Sequence, residues 1–246
     1  MKKITILVIV MCVFTISFFS SSLQEIQKKG VLVMGTEATF PPFEFVNEQN
    51  QIVGFDVEIG KSIADKLGVK LEVKDMAFDG LLPALNSGKF DIIIAGMTIT
   101  DERKKVVAFS EKYFDAGQAI VSNDKNKKFS SIEELKGKKV AVQAGTTGDL
   151  LVSEIDDIKV TRFSKFTEAF LELVLKRVDA VVIDYSAAEA YLKTNNKLYI
   201  TSPMLSDESF GIAVKKDNMA LLEIINEYIC ELKEDGYSQL YEKWFN

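Results

Sequence analysis

The sequence predicts an α/β protein of two lobes, and three observations carry that expectation. Short β-rich runs alternate with amphipathic helical patterns along most of the chain. Phe90-Asp91-Ile92-Ile93-Ile94-Ala95 is an almost continuous apolar run, of the kind buried on both faces of a parallel sheet. The alternation then restarts after Phe109-Ser110-Glu111-Lys112-Tyr113 without repeating the sequence itself, as a second unit of the same βαβ grammar would.

In the first series, 31–35 reads as a strand and 56–67 as a helix closed by Gly68. A strand at 71–73 and a helix at 81–86, closed by Ser87-Gly88, lead to the apolar strand at 90–95. In the second, 118–121 is a strand, and Ser131-Ile132-Glu133-Glu134 has the spacing of a capping box opening a helix that Gly137 ends. Strands at 139–143, 160–163 and 180–183 alternate with helices at 146–155, 166–176 and 185–193. One more strand, 210–214, precedes helices at 219–233 and 237–244. Ile225, Ile229 and Leu232 share one face of the longer helix, so it must pack against a lobe.

Composition narrows the function. The 246 residues are 47% hydrophobic and 27% charged with only four prolines, enough for a folded core and unlike a disordered chain. A net charge of −6 with no dense basic stripe argues against a nucleic-acid partner. The chain has no histidine, which removes His-dependent triads and the commonest zinc ligand together.

Met1-Lys2-Lys3, the apolar stretch 4–19 broken by Thr5, Thr15 and Ser17, and Ser20-Ser21-Ser22 form the layout of a secretory leader over 1–22. The apolar run is short for a bilayer span, so an extracytoplasmic mature protein is expected, two charges more acidic once Lys2 and Lys3 are gone. Cys12 and Cys230 are the only cysteines, and removal of the leader leaves no internal disulfide. Cys12 is also a candidate lipid-anchor site, although Ile9-Val10-Met11 lacks the usual small residue before it. Cys230 reads as a small packed hydrophobe in a helix.

Four segments place polar groups just past predicted strands, where open α/β sheets bind ligands. They are 35–45, with Glu37 and Phe40; 76–80, with Phe78; 95–103, with Gly96, Thr98 and Arg103; and 143–148, with Gln143, Thr146 and Thr147, joined downstream by Asp184. Each has a plain structural explanation too. Thr100 or Asp101 can cap a helix with Arg103 solvated in its first turn, and Asp184 can cap the next helix. Phe40 and Phe78 can be core, Glu37 an exposed loop acid, and Gly145-Thr146-Thr147-Gly148 an ordinary strand-to-helix turn without the ending of a P-loop. Periodicity does not separate these readings.

Several stretches together resemble the polar amino-acid solute-binding proteins of bacterial ABC importers, the family 3 extracellular solute-binding proteins. They are Gly35-Thr36-Glu37-Ala38-Thr39-Phe40-Pro41-Pro42-Phe43-Glu44-Phe45, Val53-Gly54-Phe55-Asp56-Val57, Phe78-Asp79-Gly80-Leu81-Leu82-Pro83-Ala84-Leu85 and Ala95-Gly96-Met97-Thr98-Ile99-Thr100-Asp101-Glu102-Arg103. Val140-Ala141-Val142-Gln143-Ala144-Gly145-Thr146-Thr147, Asp179-Ala180-Val181-Val182-Ile183-Asp184 and the ending through Trp244-Phe245 continue the similarity over nearly the whole mature chain.

The resemblance implies two Rossmann-like lobes joined by a two-strand hinge, the type II periplasmic-binding-protein architecture. Lobe 1 would comprise 23–112 and 211–246, lobe 2 118–205, and the crossings 113–117 and 206–210. Such a protein closes on a free amino acid and hands it to a membrane permease, as a monomer without metal, cofactor or catalysis. By family position, Arg103 would clamp the ligand carboxylate, aided by Thr98 and backbone N–H groups at Thr146 and Thr147. Asp184, the Gly96 carbonyl and the Thr98 hydroxyl would take the ammonium. Phe40 and Phe78 would sandwich the side chain, Glu37 would reach its far end, and Gln143 and Thr39 would stand at the rim. A zwitterion leaving water loses several kcal/mol of solvation per ion, which only such paired partners recover.

A carboxylate beyond two aromatic faces suits a guanidinium or ammonium, so arginine or lysine is the first expectation. The family also uses an acid here for cystine and glutamine. Asp79 is read as the cap of the helix after it, in preference to a second pocket acid. In another class, relatives resembling cyclohexadienyl dehydratases would recruit Glu37 as a general acid. A sensor or lytic transglycosylase fusion is not expected, because no kinase- or lysozyme-like region is present.

Overall fold

A computed structural model describes residues 22–246, so Cys12 and all but the last residue of the expected leader lie outside the described residues. The chain opens with α1 (Ser22–Lys29) and β1 (Val31–Thr36), then a small antiparallel sheet of β2 (Thr39–Phe40), β3 (Glu44–Val46) and β4 (Ile52–Val53). α2 (Phe55–Lys66), β5 (Lys70–Asp75), α3 (Phe78–Asn86), β6 (Ile92–Ile93), α4 (Asp101–Lys104) and β7 (Ala108–Phe109) follow. After β8 (Phe114–Ala116), the second series is β9 (Gln118–Ser122), β10 (Lys139–Gln143), α5 (Thr147–Ser153), β11 (Lys159–Phe163), α6 (Phe166–Val174), β12 (Ala180–Asp184), α7 (Tyr185–Thr194) and β13 (Tyr199–Ile200). The return path is β14 (Glu208–Phe210), β15 (Ala213–Val214), α8 (Met219–Glu234) and α9 (Tyr237–Phe245).

Two five-stranded sheets result, ordered β5-β1-β6-β15-β7 and β11-β10-β12-β9-β13. Their centres are parallel, but β15 runs antiparallel to β6, and β9 antiparallel to β12, so each sheet is mixed. The expected single strand at 210–214 is two pieces, because Phe210 still belongs to the crossing while Ala213 and Val214 have reached the first sheet. At 90–95 only Ile92 and Ile93 form the ladder, although Phe90 and Ile92 through Ala95 are all buried. The strand ends there because Gly96 turns the chain at a φ of +50°.

The two lobes meet through the antiparallel pair β8 and β14, with Phe114 opposite Phe210 and Ala116 opposite Glu208. Gly117 is required beside it: a Cβ there would lie 2.2 Å from the Ser206 carbonyl oxygen. Phe114 stacks on Phe210 at 5.8 Å and on Phe245 of α9 at 5.1 Å, with Phe43 and Phe55 edge-on. Burial of each such ring stabilises by roughly 1.5–3 kcal/mol, so this aromatic cluster anchors the crossing to the first lobe.

Helix α8 packs on α1 and α2 through Leu221, Leu222, Ile225, Ile229 and Leu232. Cys230 is exposed instead of packed, since one residue past Ile229 is about 100° around the helix from the buried stripe. The expected capping box at 131–134 does not form; Ile132–Leu135 is one turn of 3-10 helix without a side-chain cap. Asp79 is not a cap either, because α3 begins earlier than expected, after Ala77, and Asp79 falls in its first turn.

Candidate functional site

The C-terminal ends of the strands in both sheets converge on one cavity, the place where open α/β sheets bind ligands. Glu37, Phe40, Phe78, Gly96, Thr98 and Arg103 line it from the first lobe, and Gln143, Thr146, Thr147 and Asp184 from the second. Every position named from sequence except Thr39 is therefore in the lining. Thr39 stands behind it, donating its hydroxyl to Glu37 at 2.7 Å.

Arg103 is brought in by α4. Thr100 caps that helix, its hydroxyl accepting from Arg103 N at 3.2 Å. The guanidinium is not solvated: Arg103 is only 8% exposed, and its carbon sits 5.2 Å from the centre of the Phe78 ring. Nη1 donates to the Thr98 carbonyl at 2.7 Å, and Nη2 reaches the other lobe, donating to the Gly145 carbonyl at 3.0 Å. Two of its five N–H groups are so engaged, leaving three for an anion. Burial lowers its pKa to about 10, partly offset by Glu208, so it stays a cation at neutral pH.

Asp184 ends β12 and also caps α7, accepting from Ser186 N at 3.0 Å and from Gly117 N at 3.0 Å. The capping and cavity-lining readings thus hold together. Burial is the largest influence on it and raises its pKa to about 7, against the lowering effect of the two N–H donors. The cavity therefore holds a carboxyl poised between its two states at neutral pH, which a cation beside it would drive to the charged form.

The far end is built around Glu37, 1% exposed. Besides Thr39, it accepts from Gln143 Nε2 of the second lobe at 2.9 Å. Burial pushes its pKa up, with the two hydrogen bonds opposing. Phe40 lies against Gly96, where a Cβ would come within 2.5 Å of the ring, so glycine is needed for this approach as well as for its positive φ. Phe40 also stacks on Phe166 across the cleft at 5.7 Å.

Beneath this end lie residues that local pattern did not single out. Glu44 lines the cavity with neither oxygen hydrogen-bonded among the described residues, and burial beside Asp56 holds it well above the carboxylate range. Asp56, raised to about 6 chiefly by burial, accepts from Gly96 N at 2.8 Å and from Tyr113 Oη at 2.7 Å. The raised pKa keeps Glu44 protonated, which relieves the repulsion between two buried carboxyls, while Asp56 fixes the Gly96 turn. Gln118, Phe166 and Phe210 also line the cavity, and Glu208 stands at its hinge side. Phe166 was legible only as the buried face of a helix, and Glu44 only as one letter of the Phe-Glu-Phe run.

Contacts between lobes enclose the cavity. In addition to the Arg103 and Gln143 bonds, Tyr191 Oη donates to the Thr39 carbonyl at 2.6 Å and Lys165 pairs with Asp75 at 3.3 Å. An enclosed site with a cation, three raised carboxyls and aromatic walls can hold a small dipolar molecule out of water.

Residues 32–246 match the family model of bacterial extracellular solute-binding proteins, family 3. The L-cystine-binding protein TcyJ of Escherichia coli K12 is 36% identical over 227 residues, 91% of this chain and 85% of that protein. The arginine-bound form of truncated ArgBP from T. maritima is 56% identical with a TM-score of 0.83, covering 85% of this chain and 99% of that one. The ancestral amino-acid-binding protein AncCDT-1, a precursor of cyclohexadienyl dehydratase, is 42% identical with a TM-score of 0.86, over 92% of this chain and all of that one.

Proposed function

Because the chain belongs to the bacterial extracellular solute-binding proteins of family 3, we propose that it is the extracytoplasmic receptor of an amino-acid ABC importer, taking a cationic amino acid, arginine or lysine. The observation that carries this reading is the placement of Arg103 and Asp184, on opposite lobes, in one enclosed cavity whose far end holds Glu37. In this reading Arg103 forks onto the α-carboxylate with the amides at Thr146 and Thr147 beside it. Asp184, the Gly96 carbonyl and the Thr98 hydroxyl receive the α-ammonium. Phe40 and Phe78 flank the side chain, and Glu37, held by Gln143, meets its distal charge. The likeness to arginine-bound ArgBP supports that choice, the likeness to TcyJ keeps cystine among the ligands to be tested, and the likeness to an ancestral arginine-binding protein bound to glutamine keeps glutamine.

The lobes would be 23–112 with 211–246, and 118–205, turning about 113–117 and 206–210. Since the carboxylate and ammonium partners come from both, bound ligand favours the closed state by its differential affinity. The closed, charged complex is then what a permease would receive.

A thermal-shift screen against the twenty amino acids, cystine and ornithine tests this. Arginine or lysine should raise the melting temperature most, by mass action on the native state. A shift only with cystine or glutamine would reassign the ligand, and no shift with any would overturn the reading. One observation favours a second reading: a buried carboxyl of raised pKa, Glu37, in a cavity like that of a dehydratase precursor. Turnover of arogenate or prephenate would establish it.

A further inference from the structure

Glu208 sits on the returning hinge strand, outside every role assigned above, yet three hydroxyls from three parts of the molecule end on it. Thr98 Oγ1 of the first lobe donates to Glu208 Oε2 at 2.7 Å, and Thr147 Oγ1 of the second lobe donates to the same oxygen at 2.7 Å. Ser206 Oγ donates to Oε1 at 2.7 Å. A hydroxyl has one proton and two lone pairs. Once Thr98 and Thr147 have given their protons to Glu208, neither can donate to anything in the cavity they line. Thr147 Oγ1 also accepts from Gln118 Nε2 at 3.2 Å, which occupies one of its lone pairs. Thr98 Oγ1 therefore faces the site as an acceptor. The two threonine oxygens are 3.4 Å apart, and a common acceptor behind both removes the choice of which donates to the other.

We propose that Glu208 is a specificity-determining positioning residue: by taking the protons of Thr98 and Thr147, it makes the cavity demand a donor, the ligand's α-ammonium, where a hydroxyl could otherwise serve any partner. Selectivity arises because a ligand without that donor leaves Thr98 unsatisfied while Glu208 holds its proton. Polarisation along the chain from ammonium to hydroxyl to carboxylate strengthens the correct complex. This inference rests on the amino-acid-binding reading and deepens it.

The test compares each amino acid with its desamino analogue by calorimetry: L-arginine with 5-guanidinopentanoate, and L-glutamine with 5-amino-5-oxopentanoate. Glu208→Met keeps the length of the side chain and removes the acceptor. We expect it to lower the preference for the amino acid by about tenfold, the scale of one hydrogen bond to a charged group. The same change in a Thr98→Val background should alter that preference less than about twofold, since the proton that Glu208 holds is gone. Equal loss for both members of a pair, no loss, or an undiminished effect in the Thr98→Val background would overturn the proposal. If Glu208→Met does not fold, Glu208→Ala serves with the same expectations. If the thermal-shift screen names another amino acid, its own desamino analogue completes the pair; binding of no amino acid by the parent protein would refute both this inference and the receptor reading, whereas parent binding with unchanged selectivity in the variants would refute this inference alone.

Discussion

The two ends of the cavity are built on different principles. At one end the charges are tied to the framework. Arg103 is held by two backbone carbonyls, one in each lobe, and Asp184 by two backbone N–H groups, Ser186 at the start of α7 and Gly117 beside the crossing. At the other end, among the described residues, Glu37 accepts hydrogen bonds from a hydroxyl and a side-chain amide and from no cation. Backbone partners make the first end rigid and indifferent to what lies beyond the α-carbon. Side-chain partners make the second adjustable by single substitutions. On the proposed function, the first end would recognise any α-amino acid, and the second would choose among them.

The sharpest way to break this division is at Arg103. Arg103→Ala should reduce amino-acid affinity by about a thousandfold or more, for every side chain alike, because it removes the fork and leaves a buried ligand carboxylate without its charged partner. Arg103→Lys keeps the charge but not the planar geometry and should still lose about a hundredfold. Calorimetry showing either variant within threefold of the parent would refute the assignment.

Asp184 should come next, with a pH signature of its own. Its pKa of about 7 in the unliganded protein lies above the ordinary value of 3.8. Below about pH 4 the group is protonated folded or unfolded. Between there and about pH 7 the folded state holds the extra proton, so this group's contribution to stability is lost as pH rises through that window. A bound ammonium reverses the preference, so affinity should climb up to about pH 7 and level off, with proton release below it. Asp184→Asn should weaken binding by about a hundredfold at pH 8 and flatten the climb, while raising the unliganded melting temperature at that pH by a few degrees. A parent affinity independent of pH between 5.5 and 8 would exclude Asp184 as the ammonium partner.

At the first end, Arg103 and Asp184 stood out as candidates because each follows a predicted strand, but capping explained each as well, and it was the family resemblance that assigned their roles. The capping roles of Thr100 and Asp184 were equally legible, and the structure shows that capping and lining the cavity are compatible at Asp184. Phe166, Gln118 and Glu208 were missed. Phe166 fits the buried face of its helix, Gln118 opens a strand, and Glu208 lies in a polar run, so each has a sufficient local explanation. Only the crossing of β8 and β14 brings Glu208 to Thr98 and Thr147, and that contact joins residues 110 and 61 positions apart. The antiparallel sense of β15 was hidden likewise, because a strand's direction depends on the side from which the chain returns.

At the adjustable end the expected effect is smaller and selective. Glu37→Gln should weaken arginine or lysine about tenfold and glutamine less than about threefold, because only a cation gains from the charge. Burial raises the Glu37 pKa in the empty site, so part of the Coulombic gain is spent in removing its proton. Equal losses for cationic and neutral ligands, measured by calorimetry at one pH, would show that Glu37 serves the cavity's shape and not the ligand's charge, and the contrast between the two ends would then fail.

The smallest effect should come from outside the cavity. Lys165 and Asp75 pair across the cleft at 3.3 Å, with their side chains 40% and 34% exposed. An exposed pair contributes at most about 1 kcal/mol and is screened by salt. Asp75 has a second duty, accepting from Ala38 N at 2.8 Å beside Glu37, so replacing it would disturb the adjustable end directly. Lys165→Ala isolates the latch: ligand affinity should fall less than about fivefold at low salt and by nothing measurable at 1 M salt. A larger, salt-independent loss would mean that closure is held from the rim, and that the charges enclosed within are not what draws the lobes together.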